Sequence, residues 1–232
     1  MTDIAANLPL VLQTIRRAAE EVGRKPQSVQ LIGVTKYVEA ERVRQALDAG
    51  LAICGENRLQ EAQAKMEAIG VRPGVTWHFI GRLQRRKLKS VVGQFSLIHS
   101  MESIEQVEEL DRRAQEQSLR QSILLQVNVG NESTKGGFSA LELLEAMPAV
   151  AKFVHIKVCG LMAIPPWTEN PEAMRPHFRK LHALAQEVKT LGLPGIEMTE
   201  LSMGMSNDYP IAIQEGATMV RVGTALFGSR PQ

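Results

Sequence analysis

The sequence predicts an α/β fold, a (β/α)8 TIM-type barrel, and four observations carry that prediction. Short apolar or β-branched runs alternate with helix-period stretches along the chain without a break, which is the pattern of parallel βαβ units. There are eight such runs, a number that favours a closed barrel over an open sheet. No G-x-G-x-x-G follows the first run, as a dinucleotide-binding sheet would require. Finally, the 232 residues are 44% hydrophobic but only 4% aromatic, so the core rests on Val, Ile, Leu, Met and Ala. That mix suits strands buried on both faces beneath a ring of helices.

The chain opens on a helix, because Leu8, Leu12, Ile15, Ala19 and Val22 recur at spacings of three and four. Gly23 closes it and Pro26 follows, the usual C-terminal punctuation. Strands are expected at 31–35, 51–55, 77–81, 97–100, 123–129, 156–164, 200–203 and 218–227. Between them, helices are expected near 39–49, 57–69, 84–93, 103–117, 139–151, 171–191 and 207–215. The opening helix is then the eighth or an extra. No linker or low-complexity tract divides the chain, so residues 1–232 read as a single domain.

Composition excludes several functions. The net charge of +2, from 27 basic and 25 acidic residues, provides no global field to draw nucleic acid or an anionic membrane. Five of the eight residues from Arg82 to Lys89 are basic, but a charge run on a surface helix reads first as a solvated face. Cys54 and Cys159 are isolated in strand-like runs, which suggests buried thiols in a reducing compartment rather than a disulfide frame or zinc site. The histidines lack H-x-x-x-H or H-E-x-x-H spacing, so no metal is expected. No apolar run approaches the ~20 residues of a membrane span. The start of the chain has Asp3 and no basic-then-apolar leader, so a cytoplasmic location is expected.

Barrel active sites gather at the C-terminal ends of the strands. That rule singles out Lys36, Glu56, Asn57, Gly81, Asn128, the stretch 202–206, and Arg221 to Thr224. Lys36 ends the apolar run Leu-Ile-Gly-Val-Thr. An amine there either reaches solvent or loses its proton readily and attacks a carbonyl, forming a Schiff base. Ser206 sits where a helix N-cap belongs, and a helix start suits either a plain serine cap or a bound phosphate. Arg221 lies inside an apolar strand and must find a partner. That partner is either a core carboxylate such as Glu200 or a ligand. Gly223 would let a phosphate approach the backbone, and Thr224 adds an amide and a hydroxyl. Together these groups suit a ligand with an aldehyde and a phosphate. Pyridoxal phosphate and a phosphorylated sugar both qualify, and the residues alone leave both open.

Longer motifs narrow the choice. Gly33-Val-Thr-Lys36, Gly55-Glu-Asn-Arg-Leu-Gln-Glu61, Trp77-His-Phe-Ile-Gly81 and Val127-Asn-Val lie in the first part of the chain. They continue as Lys135-Gly-Gly, Gly160-Leu-Met-Ala-Ile-Pro165, Leu201-Ser-Met-Gly-Met-Ser-Asn-Asp208 and Ala217-Thr-Met-Val-Arg-Val-Gly-Thr-Ala-Leu-Phe-Gly228. On these motifs the chain resembles the pyridoxal phosphate homeostasis proteins, which are similar to the barrel domain of fold-type III alanine racemases.

The resemblance implies a fold-type III barrel without the C-terminal β domain, and pyridoxal 5′-phosphate as cofactor. It implies that Lys36 forms the Schiff base, that Ser206, Gly223 and Thr224 hold the phosphate, and that Asn57 lies near the cofactor. Arg221 would face the pyridine nitrogen. Arginine there cannot accept the ring proton, which leaves the cofactor a poorer electron sink. The sequence departs from the family's usual pattern at Tyr37-Val38-Glu39 and at Arg82 and Arg86, beside the motifs rather than inside them.

In the racemases a second domain supplies a tyrosine acid/base, whereas here the sequence ends four residues after Gly228 and contains only Tyr37 and Tyr209. The expectation is therefore a non-catalytic carrier that buffers or delivers the cofactor, with PLP-dependent apo-enzymes as partners and a monomer or weak dimer as the assembly. A small racemase or decarboxylase, and a Schiff-base aldolase on a phosphosugar, are the competing readings. Whether Lys135 also carries cofactor is left open.

Overall fold

Eight parallel strands pair in chain order, and the last closes on the first, in a computed structural model that describes residues 3–130, 132, 135–166 and 168–229. The strands are β1 (Gln30–Val34), β2 (Ile53–Glu56), β3 (Thr76–Phe79), β4 (Leu97–Met101), β5 (Gln121–Gln126), β6 (Ile156–Met162), β7 (Ile196–Met205) and β8 (Met219–Val222). The helices are α1 (Ile4–Glu20), α2 (Ala40–Asp48), α3 (Leu59–Ile69), α4 (Ile104–Glu116), α5 (Ala140–Val150), α6 (Arg175–Thr190), α7 (Tyr209–Gln214) and α8 (Thr224–Phe227). The closed TIM-type barrel is the predicted architecture.

Local chemistry sets the element ends. The Asp3 side chain caps α1 by accepting from the Ala6 amide, Ser103 caps α4, and Ser139 with Glu142 forms a capping box on α5. α1 packs against α2, α7 and α8, closing the outer ring where α8 is a single turn. Its buried stripe is Ile4, Leu8, Val11, Ile15, Ala18 and Ala19. Leu12 and Val22 are instead 47% and 44% exposed, so the apolar face is turned relative to the one read from the sequence.

Several expected bounds are corrected. Residues 84–93 form a 3-10 segment at Arg85–Ser90 rather than an α-helix. In an α-helix Arg85 and Arg86 would stand four and three residues from Lys89 and repel it, and Leu88 is the one buried anchor of that segment. The expected strand 218–227 ends at Val222, and Thr224–Phe227 is a helical turn capped by Gly223 and closed by Gly228 at φ 84°. β7 runs from Ile196 to Met205 rather than over 200–203, so Gly204 belongs to the strand and not to a following loop. Cys54 is buried as expected, while Cys159 is only half-buried.

Side chains alternate between the two sides of the barrel wall. Ile32, Leu97, Leu124, Met162 and Met219 cluster together with Ile53 and Cys159, whereas the larger apolar cluster fills the layer shared with the helices. Two residues on from Leu97 and Met219 come His99 and Arg221, both buried. β6 and β7 slip register between Val158 and Gly160. There a Cβ on Gly160 would lie 1.8 Å from the Glu200 carbonyl oxygen, so the strands meet backbone to backbone. We expect Gly160→Ala to lower stability by about 3 kcal/mol, the upper part of the usual overpacking range. Urea denaturation measures it, and a loss below roughly 0.5 kcal/mol would mean that the strands part easily at this point.

Candidate functional site

Lys36 follows β1 by two residues, at the C-terminal mouth of the barrel. The preceding amide, from Thr35, still donates to Gly55 O in β2 (3.0 Å), so the ladder extends to the residue before the lysine. Tyr37, which follows, adopts φ 61°, a left-handed conformation that costs energy in any residue with a Cβ and persists only where neighbours impose it. Here they do.

The Tyr37 amide donates to Glu61 Oε1. Lys65 Nζ donates to the same Oε1 at 2.7 Å, to Glu56 Oε1 at 2.8 Å and to the Thr35 carbonyl at 2.5 Å. The Thr35 hydroxyl adds a 2.6 Å bond to Glu56 Oε1. Lys65 and Glu56 are both buried, while Glu61 is partly exposed, so both residues flanking Lys36 are tied to one ion network that is water-excluded on its Glu56 side. Burial pushes the Glu56 carboxyl above its ordinary range, against the pull of hydrogen bonds from Lys65 and Thr35. Burial also pushes Glu61 up, but hydrogen bonds from Lys65 and the Tyr37 amide outweigh it and hold that carboxyl low. The Arg58 guanidinium lies 5.0 Å from the Tyr37 ring centroid, within cation–π range.

A cleft at this mouth is lined by Lys36, Arg42, Gly223, Thr224 and Phe227, among others. Ser206, just past β7, does not line it but binds its Gly223 edge. Its hydroxyl oxygen accepts from the amides of Gly223 (3.1 Å) and Ala225 (3.3 Å). Ser206 is therefore not the N-cap of α7, as the sequence suggested; that cap is Asp208. It instead gathers two amides at the start of α8 around one oxygen, which is how backbone donors meet an oxygen of a bound anion.

Arg221 lies two residues before Gly223 and is 4% exposed. Its Nη1 donates to Ser202 Oγ at 2.5 Å and its Nη2 to the Ala163 carbonyl at 2.8 Å. Burial pushes its pKa down to about 10, with Asp208 pulling the other way, which leaves it charged at neutral pH. The alternative partner Glu200 is bound instead by the Thr218 hydroxyl (2.6 Å).

Asn57, at the end of β2, is not among the residues lining the Lys36 cleft. Its position is fixed by Gly81, where a Cβ would fall 2.3 Å from the Asn57 carbonyl oxygen. The Asn57 side-chain oxygen is buried with no hydrogen-bond partner among the described residues, a cost that a ligand donor would relieve. The structure thus brings Lys36, Ser206, Gly223 and Thr224 together, sets Arg221 beneath them in the strand, and leaves Asn57 at the neighbouring strand end. Lys135 belongs to another hollow at the mouth, with Arg82, Glu102 and Asn128, and donates to the Pro165 carbonyl at 3.1 Å. Sequence reasoning missed Lys65 and Glu61. The only trace of them is an i, i+4 Glu–Lys pair, which ordinarily reads as a surface feature.

The family model for the alanine racemase N-terminal domain matches residues 10–231. The pyridoxal phosphate homeostasis protein of Aquifex aeolicus (strain VF5) is 44% identical over 223 residues, covering 96% of each chain. That of Escherichia coli (strain K12) is 36% identical over 233 residues, covering 99% of this chain and 98% of its own. Among solved structures, PipY of Synechococcus elongatus PCC7942 with PLP bound superposes with a TM-score of 0.81 at 37% identity, covering 93% of this chain and 100% of PipY. An alanine racemase of Clostridium difficile 630 shares the fold with a TM-score of 0.73 at 16% identity, covering 98% of this chain and 58% of the racemase.

Lys65→Met would leave Glu56 buried without its counter-charge and should cost about 3–5 kcal/mol near neutral pH. Because burial raises the folded Glu56 pKa, the stability tied to its proton is present below the ordinary glutamate range and is lost as pH rises through the raised value. The deficit of the variant should therefore be smallest in acid and deepen toward neutrality. Denaturation curves across pH measure this, and a deficit that grows on acidification would contradict the assignment.

Proposed function

The chain belongs to the pyridoxal phosphate homeostasis protein family, and from that membership we propose that it binds pyridoxal 5′-phosphate at Lys36 and buffers or delivers it without dedicated turnover. The observation that carries this reading is the meeting, in one cleft, of a strand-end lysine with Gly223 and Thr224, where Ser206 gathers the Gly223 amide with that of Ala225 around one oxygen. Bound there, pyridoxal phosphate would supply an aldehyde, a phosphate and an aromatic ring.

The residues present fit those three parts. Lys36 offers the amine. Gly223, Thr224 and the α8 start offer backbone donors to the phosphate, and Ser206 would exchange its bonds from those amides for a hydrogen bond donated by its hydroxyl to a phosphate oxygen. Arg221, held from below, offers N–H donors and no acceptor toward the ring nitrogen. Asn57 has an unused acceptor at the neighbouring strand end. A carrier also needs recipients, and PLP-dependent apo-enzymes are the partners this reading implies.

The absence of dedicated turnover is supported by the chemistry of the side chains. Racemisation by two bases needs an acid and a base on opposite faces of the substrate. Of the two tyrosines, Tyr209 is buried in α7 and Tyr37 is on the rim beneath Arg58. A donor-only arginine at the ring nitrogen also weakens the electron sink on which carbanion chemistry depends.

Mixing the purified protein with pyridoxal phosphate should produce an absorbance band of the lysine-bound cofactor. Borohydride reduction and peptide mapping should then find one pyridoxyl group, on Lys36. Lys36→Ala should lose the band; retention of a stoichiometric band in that variant would refute the site. Ser206→Ala should weaken retention of pyridoxal phosphate about tenfold, the scale of one hydrogen bond to a charged group, while leaving that of unphosphorylated pyridoxal unchanged. Alanine racemisation should stay far below about 1 s⁻¹, the low end of ordinary enzyme turnover.

A further inference from the structure

Inside the barrel, beneath the cleft, two buried histidines remain that no part of the proposed function uses. His78 in β3 and His99 in β4 are 5% and 0% exposed. Their rings lie 5.1 Å apart, centroid to centroid. His78 Nδ1 is 3.0 Å from His99 Nε2, and His99 Nδ1 is 2.9 Å from Ser202 Oγ. Ser202 Oγ is in turn the acceptor of Arg221 Nη1 at 2.5 Å. A continuous hydrogen-bonded chain thus crosses the barrel from β3 through β4 and β7 to β8.

Elementary valence gives this chain a direction. A guanidinium can only donate, so Ser202 accepts from Arg221. Ser202 Oγ has no third partner among the described contacts, so its own proton goes to His99 Nδ1. His99 must then carry its proton on Nε2 and donate it to His78 Nδ1. His78 in turn carries its proton on Nε2.

In that direction both rings must be neutral: a charged His78 would set its Nδ1–H against the His99 Nε2–H, and a charged His99 would set its Nδ1–H against the Ser202 hydroxyl proton. Burial pushes His99 well below the usual histidine range and His78 down to about 4, and Arg221 further lowers His99. His78 also lines a polar hollow at the barrel floor with Gln30, Lys157, Glu197 and Glu200. Lys157 and Glu197 neutralise each other across 3.0 Å, and Glu200 is bound by Thr218.

We propose that His78, His99 and Ser202 are positioning residues, a one-way hydrogen-bonded chain that aims the Arg221 guanidinium from the barrel floor. The consequence for the cofactor rests on the reading that Arg221 faces its ring. The chain itself does not.

Nitrogen-15 NMR of histidine-labelled protein without cofactor should find both rings neutral and protonated at Nε2 near neutral pH. A charged ring, or His99 protonated at Nδ1, would overturn the proposal. Ser202→Ala severs the chain at one atom and should speed hydrogen exchange of the Arg221 guanidinium about tenfold, the equivalent of one lost hydrogen bond. An unchanged exchange rate would also overturn it.

In protein loaded with pyridoxal phosphate, Ser202→Ala and His99→Leu should both shift the absorbance band. His99→Gln, whose amide keeps an acceptor for Ser202 and a donor for His78, should restore the wild-type spectrum. If Gln and Leu behave alike, the histidine acts by packing and the positioning role fails. If the wild-type protein takes up no pyridoxal phosphate, the functional reading fails, while the exchange and NMR measurements still decide the chain.

Discussion

A guanidinium inside a barrel is the constraint around which this structure is arranged. Arg221 cannot shed its proton at any ordinary pH, so its charge must be met by acceptors within the wall. The Ala163 carbonyl just past β6 and the Ser202 hydroxyl of β7 supply them. Both depend on how β6, β7 and β8 fit together. Gly160 lets β6 and β7 come into backbone contact, and β7 and β8 shift register between Ser202 and Met205. Those irregular pairings are where regular hydrogen bonding gives way to side-chain recognition, a common device beside functional sites.

Lys36 is held from the opposite direction. Its support lies on the outer side of the strand ends, where α3 delivers Glu61 and Lys65 against the backbone of Thr35 and Tyr37. A buried ion pair is rarely a net source of stability, because desolvation offsets most of the attraction. What this network supplies is geometry. It imposes a left-handed Tyr37 and so sets the exit direction of the chain on each side of one lysine. Two independent supports, one within the wall and one outside it, therefore converge on a single cleft.

The fold was more legible in the sequence than the site. Eight alternations of strand and helix survive imprecise boundaries, because each parallel strand needs a crossover and each crossover needs length. Boundaries failed where composition carries no period. Thr224, Ala225, Leu226 and Phe227 are as apolar as the strand before them, and only Gly223 marks the turn. The candidate site residues were singled out by their position at strand ends, yet their partners in the structure were not. Ser206 bonds to amides 17 and 19 residues away, and Glu61 reaches an amide 24 residues before it. Lys65 looked like a solvated helix lysine because nothing local reveals that Glu56 is buried opposite it. The histidines of β3 and β4 were dismissed for want of metal spacing, although their partners lie across the barrel.

The same constraint bears on why such a site would hold a cofactor rather than work with it. Catalysis on pyridoxal phosphate draws on a ring nitrogen that carries a proton, and a carboxylate is the partner that keeps the proton there. An arginine offers only donors, and this one is further anchored by groups that accept from it. Changing that electronic character would take more than substituting Arg221. A carboxylate in its place would be buried against the Ala163 carbonyl and the lone pairs of a Ser202 hydroxyl whose proton is turned toward His99, with no cation nearby in the chain of neutral histidines. The interior is built to keep a positive, non-titrating group under the cleft. On the proposed reading, retention would come from the lysine and the phosphate cradle at the open mouth of the barrel, while the wall below would keep the ring chemically quiet.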